Sequence, residues 1–173
     1  MILDRISTEP FDTATAALLG RITLAETSGH WFHRQGDELR TYRDTTFDVK
    51  KIACSPGTAG NICSLTSRSK LPVGYAKLKC AATLPGEPDR DAPQPQKIYG
   101  LREFLGDGIG RALATLLLLS APRARPLIWL DVLWQNERAI GFDTPFVFIA
   151  IADRTYTIGV QRYIFYAMAR PLP

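Results

Sequence analysis

Residues 98–113 read IYGLREFLGDGIGRAL, and this stretch decides how the rest of the chain is read. A short apolar strand runs into Gly106, Gly108 and Gly110, and a long apolar helix follows. Glycines on alternate positions of a strand-to-helix turn let backbone N–H groups crowd round one point, and the helix adds the positive end of its dipole. Together they make a pyrophosphate cradle. Arg111 stands where the dinucleotide pattern G-x-G-x-x-G needs its last glycine, and no G-K-[ST] follows, so two familiar phosphate loops are excluded. A plain Gly-rich surface turn and a phosphate loop of another kind both remain open.

Working outward, the 173 residues make one domain, 1–173, large enough to bury a core without staples. Hydrophobic residues at 46% and charged residues at 22% give an ordinary globular balance. Cys54, Cys63 and Cys80 match no zinc spacing and read as free thiols of a reducing compartment. The first residues, MILDRISTEPFD, lack the apolar core of a secretory leader, and the apolar run 112–121 is too short to span a bilayer. A cytoplasmic protein with no membrane partner is expected. The net charge of +4 suits an anionic ligand. The basic residues are scattered, without the aromatic-interleaved stripe of a nucleic-acid surface, so no nucleic-acid partner is expected.

The patterning predicts a strand over 1–6 and a helix capped by Asp12 or Thr13, with Ala14, Ala17, Leu18 and Ile22 on one face. Residues 26–34 read as a loop and 37–43 as weakly helical. Residues 61–67 and 73–80 form a hairpin across 67–72. Residues 84–95, with four prolines and three acids, are expected to be an exposed loop. A strand over 97–101, a helix over 108–120 and a nearly continuous apolar strand over 127–133 make a βαβ unit, the last strand parallel and covered on both faces. Asn136 caps a short helix over 137–142, and strands follow at 146–151, 155–158 and 162–169.

At this point the residues resemble the GCN5-related N-acetyltransferases along nearly the whole chain. Leu105-Gly106-Asp107-Gly108-Ile109-Gly110 is similar to the family's [RQ]-x-x-G-x-[GA] turn, and Ile98-Tyr99-Gly100-Leu101-Arg102 to the strand before it. Ile128-Trp129-Leu130-Asp131-Val132 and Asn136-Glu137-Arg138-Ala139-Ile140-Gly141-Phe142 resemble its iwLxVwxxNxrAixFYxxxGF segment. Val73-Gly74-Tyr75-Ala76-Lys77-Leu78 looks like its vGYakL strand, and Glu26-Thr27-Ser28-Gly29-His30-Trp31 resembles an ETFGHLY-like stretch of single-domain amine acetyltransferases.

The resemblance implies an α+β, three-layer fold. Its central sheet is mixed but mostly antiparallel, splayed between two parallel strands, with helices on both faces. It implies acetyl-CoA as cosubstrate and a small-molecule primary amine as acceptor. The pantetheine arm would pair with backbone groups of Gly100 and Leu101. The pyrophosphate would sit on the N–H groups of Gly106, Asp107, Gly108, Ile109, Gly110 and Arg111. Asn136 would hold the pantetheine side, cap its own helix, or both.

Four positions depart from the pattern. Leu105 replaces the Gln or Arg that opens the turn, and Gly100 replaces the usual Val. Val147 takes the place of a Gly where a positive φ would strain a β-branched residue. Asp143 stands at the Tyr usually credited with protonating the departing thiolate. A carboxylate there repels the developing charge unless its pKa is raised enough to keep the proton. Asp143 is therefore either a substitute acid or the mark of weakened chemistry, and an aspartate of about pKa 4 favours the second. A CoA-binding protein without efficient turnover is thus the alternative function.

On the acceptor side, Glu26 would attract a cationic amine and His30 would act as a base near neutral pH, unless each is merely a solvated or packing residue. The aromatic last strand around 163–166 suits pairing across a homodimer.

Overall fold

The computed structural model describes residues 6–9, 12–31, 36–50, 52, 60–143, 146–158 and 160–172; the side chains of 6–9, 26–31, 36, 38, 39, 142, 143 and 158 are also outside the description. The strands are β1 (Ile6–Glu9), β2 (Asn61–Arg68), β3 (Leu71–Leu84), β4 (Glu87–Gly100), β5 (Leu127–Leu133), β6 (Ile149–Ile158) and β7 (Gln161–Pro171). The helices are α1 (Thr13–Trp31), α2 (Gly36–Thr46), α3 (Ile109–Ser120) and α4 (Glu137–Asp143). A single 3₁₀ turn, Arg102–Phe104, leads from β4 toward α3.

Two antiparallel sheets result, ordered β1-β2-β3-β4 and β5-β7-β6. Their inner edges are β4 and β5. Ala92 packs with Trp129, and two residues on in each strand Gln94 reaches Asp131, so the edges run the same way. No backbone ladder joins them among the described residues. The mixed, splayed α+β architecture expected from the sequence is therefore present.

Side-chain alternation along the strands sorts the core into two faces. On one face α3 buries Ile109, Leu113 and Leu117 against Val73, Leu78, Ile128, Leu130 and Val132. On the other, α1 and Phe47 cover Leu65 and Tyr75, with Tyr99 and Leu101 alongside. Gly74 lets α3 come this close: a Cβ there would lie 2.9 Å from the Tyr99 carbonyl oxygen and 3.0 Å from Ile109 Cγ2.

Several expectations are corrected. The first described strand is 6–9, and residues 1–5 lie outside the description. Helix α1 runs on to Trp31 through the predicted loop, because one internal glycine costs only about 1 kcal/mol against alanine. Its buried stripe is Ala16, Ala17 and Leu19, while Leu18 is 58% exposed. Small residues let α1 sit close on Phe47.

Residues 84–95 are not a loop. Gly86, at φ +83, turns the chain, and β4 begins at Glu87. Its prolines are tolerated because β4 is the last strand of its sheet, and one side of it needs no ladder donors. Pro93 is buried. Residues 146–151 do not form a buried strand either: β6 starts at Ile149, and Ile149 and Ile151 are exposed on the sheet's outer strand. Strand β7 lies between β5 and β6, pairing β5 over Phe165–Pro171 and β6 over Gln161–Ala169.

Candidate functional site

Strand β4 ends beside the glycine turn, and its register settles which backbone groups are open there. Leu101 donates its N–H to the Val73 carbonyl at 2.9 Å, and its own carbonyl accepts from the Phe104 N–H at 3.1 Å. Its N–H is therefore spent on the fold, while its carbonyl keeps a second lone pair. Antiparallel alternation then turns the N–H and C=O of Gly100 away from β3, toward the open seam with β5.

The turn itself is built by two left-handed glycines, Gly106 at φ +97 and Gly108 at φ +83. A Cβ on either would meet nothing within 4 Å, so the space over the turn is empty. Gly108 is the N-cap of α3 and makes no side-chain cap. The first i→i−4 bond of the helix is Ala112 N–H to the Gly108 carbonyl, 2.9 Å. The N–H groups of Ile109, Gly110 and Arg111 precede it and have no partner within the helix. Open donors, open space and the positive end of an α-helix are what an anion needs. Asp107 would oppose that anion, but its carboxylate turns aside to pair with Arg68 of β2. Leu105 is 44% exposed and offers no charge.

Asn136 caps α4: its Oδ1 accepts the Ala139 N–H at 3.0 Å. The capping half of its two readings is thus present, and the side-chain amide nitrogen is left over. Asp143 is the last residue of α4, and its side chain lies outside the description, as do those of Glu26 and His30 in α1. Val147 takes φ +60 with its side chain 69% exposed, the strained conformation foreseen from the sequence.

The seam's other face carries a cluster that sequence reasoning missed. Asp131 Oδ2 accepts from Tyr156 Oη at 2.7 Å, Arg154 Nη1 at 3.0 Å and Gln94 Nε2 at 3.4 Å. Arg154 and Tyr156 reach Asp131 across the small Ala167 of β7, which pairs with Ala152 on one side and Asp131 on the other. Burial pushes the Asp131 carboxyl above the usual range, against the pull of the Tyr156 hydrogen bond and the Arg154 charge. Burial and then Asp131 push the Tyr156 phenol up. Tyr42 of α2 adds a smaller upward push to both Tyr99 and Tyr156, after burial. The only sequence signal was an acid inside an apolar strand.

No family model matches the sequence, and no curated protein matches it. Solved structures do. A GCN5-related N-acetyltransferase from Rhodopseudomonas palustris superposes with a TM-score of 0.73 at 16% identity, covering 99% of each chain. PaiA N-acetyltransferase from Thermoplasma acidophilum, solved with coenzyme A, gives 0.71 at 15% identity, over 96% of this chain and 99% of that one. YncA from Salmonella typhimurium, solved with acetyl-CoA, gives 0.64 at 17% identity, over 97% and 94%. With the splayed edges β4 and β5 and the glycine turn before α3, these likenesses show that the chain has the fold of the GCN5-related N-acetyltransferases.

Proposed function

We propose that the protein is an N-acetyltransferase that moves the acetyl group of acetyl-CoA directly onto a primary amine of a small molecule, a polyamine, an amino acid or a similar acceptor. The observation that carries this reading is the empty, donor-lined turn at Gly106–Gly110, opening beside the unladdered seam of β4 and β5. The turn fits a pyrophosphate, and the free edge of Gly100 fits an amide of the pantetheine arm, which would enter as an added strand. Two of the structural neighbours are solved with coenzyme A or acetyl-CoA.

The neutral amine attacks the thioester carbonyl, a C–N bond forms, the C–S bond breaks, and the thiolate leaves to be protonated. Glu26 and His30 are proposed to meet the amine. Asn136 is proposed to serve the pantetheine with the amide nitrogen its cap does not use. Acetyl-CoA should raise the melting temperature, and thiol release should follow addition of polyamines, amino acids or aminoglycosides. Absence of both would falsify the reading.

Asp143 supports a second reading, a CoA-binding protein with little turnover. We expect Asp143→Tyr to raise the rate of thiol release, by restoring a proton donor beside the departing sulfur. An unchanged or lower rate at unchanged acetyl-CoA affinity rules that role out.

A further inference from the structure

We propose that Asp107 is a built-in competitor for the cofactor's cradle, and that Arg68 is the catch that holds it off. Arg68, on a strand outside the glycine turn, is thereby a positioning residue for acetyl-CoA. This rests on the acetyltransferase reading above and adds to its cofactor site a residue that the turn's own sequence does not contain.

Asp107 stands between Gly106 and Gly108, immediately before the N-cap of α3. An aspartate readily accepts from the backbone N–H two residues on, closing an Asx turn. For Asp107 that donor is Ile109, the first of the three N–H groups left open at the helix start. The positive end of the helix favours a carboxylate there as it favours a phosphate. Gly108 gives the helix no side-chain cap of its own, so the place is not already taken. Yet the local bond is not made. Among the described residues the Asp107 carboxylate bonds to Arg68 and to nothing else. A cradle for an anion, with an anion of its own beside it, stays open only while that anion is held elsewhere.

The fold fixes Arg68 where it can do this. It is the last residue of β2, in register with Ile6 of β1 and Leu71 of β3. Only Ser69 and Lys70 lie in the turn beyond it, both left-handed at φ +49 and +66, as a two-residue hairpin turn of the primed kind requires. Such a turn pins the register of the strands it joins, and with it the place of Arg68. The guanidinium carbon lies 5.9 Å from the Phe104 ring centroid, and the Phe104 carbonyl accepts the Asp107 N–H at 3.3 Å. Arg68 thus meets the short turn 104–107 twice, at a ring and at a carboxylate. Its charge is spent on Asp107, and nothing in this role asks it to reach the phosphate. Without Arg68, the local donor for that carboxylate is the Ile109 N–H, which the pyrophosphate needs.

Arg68→Gln, Asp107→Ala and the double variant separate this role from a direct contact with the cofactor. Calorimetric titration with acetyl-CoA should find Arg68→Gln about tenfold weaker than wild type. Adding Asp107→Ala should restore the affinity to within about twofold of Asp107→Ala alone, because no competitor is left. In unliganded Arg68→Gln, amide hydrogen exchange at Ile109 should slow severalfold, and the slowing should vanish in the double variant. Thermal melting reports folding, and Arg68→Met serves the same comparison should the glutamine variant misfold. A loss of affinity that persists in the double variant means that Arg68 meets the cofactor itself, and it overturns the inference. Unchanged affinity or unchanged exchange in a folded Arg68→Gln protein overturns it too. If acetyl-CoA does not bind the wild type, the proposed function fails, while exchange at Ile109 still decides whether Asp107 competes for the donors.

Discussion

Asp107 and Asp131 each take an arginine from another strand, and the two pairs sit on opposite halves of the proposed site. The Asp107–Arg68 pair is in the glycine turn, with side chains 39% and 33% exposed. The Asp131–Arg154 pair spans β5 and β6 of the second sheet, and the Asp131 side chain is only 13% exposed. Water screens the first pair, so its role is to move a charge out of an anion's way and it adds little to stability. Water is excluded from the second carboxylate, so burial lifts its pKa and the arginine is bound to it more firmly. One half of the site is made of backbone donors with side chains kept clear. The other is made of side chains that hold one another. That difference sets what substitution does to each half.

The largest effect is expected in the backbone half. Gly108→Asp places a carboxylate in the empty space over the turn, where no neighbour within 4 Å obstructs it. Acetyl-CoA affinity should fall about 100-fold, because a like charge sits where the pyrophosphate would. The fold should survive, since Asp tolerates the left-handed region better than most residues. Calorimetric titration that finds undiminished binding breaks the claim that the turn is the cradle.

In the side-chain half, Arg154→Leu should cost about 1–2 kcal/mol at neutral pH, a value discounted because solvent reaches Arg154. Asp131 titrates above the ordinary value in the folded protein, so its contribution to stability is fullest when protonated and falls as pH rises through that raised value. Losing the arginine raises it further. The stability gap between wild type and variant should therefore be widest near neutrality and close toward the ordinary aspartate range. Denaturant melts at a series of pH values would show the trend, and a gap that widens in acid contradicts it.

Left-handed backbone is met by glycine in the turn but by a valine at 147. Val147→Gly should relieve the β-branched strain at little packing cost and stabilise the protein by about 1 kcal/mol, less the chain entropy of glycine. A lower melting temperature would mean that the exposed valine is needed for a contact. The smallest effect is expected at the screened pair. Asp107→Asn should change stability by less than about 1 kcal/mol, yet tighten acetyl-CoA about two- to fivefold by removing a negative charge at the helix start. A large loss of stability would put the Asp107–Arg68 pair in the same class as Asp131–Arg154.

Much of this was legible before the structure, and unevenly so. The turn, the α3 helix and the Asn136 cap are written in local chemistry: glycines where φ must be positive, an apolar helical face, an amide three residues before the N–H it accepts. The stretch 84–95 has the composition of a loop and forms a strand because it lies at a sheet edge, where prolines cost no ladder bonds on the open side. Helix α1 continues past Gly29 to Trp31 because a single glycine weighs little once the helix has tertiary contacts. Asp131 was visible only as an oddity in an apolar run.

By itself, the sequence determined the two glycine conformations and the polarity of the cradle, since each follows from residues within a few positions of one another. Tertiary structure decided that Leu101 donates to Val73 and accepts from Phe104, that Asp107 is turned toward Arg68, and that residues 94, 131, 154 and 156 meet at one point. Those last four come from three strands of two sheets, brought together because small alanines on β7 leave room for long side chains to cross. Contacts of that kind depend on register and burial, and neither is a property of any one stretch of the chain.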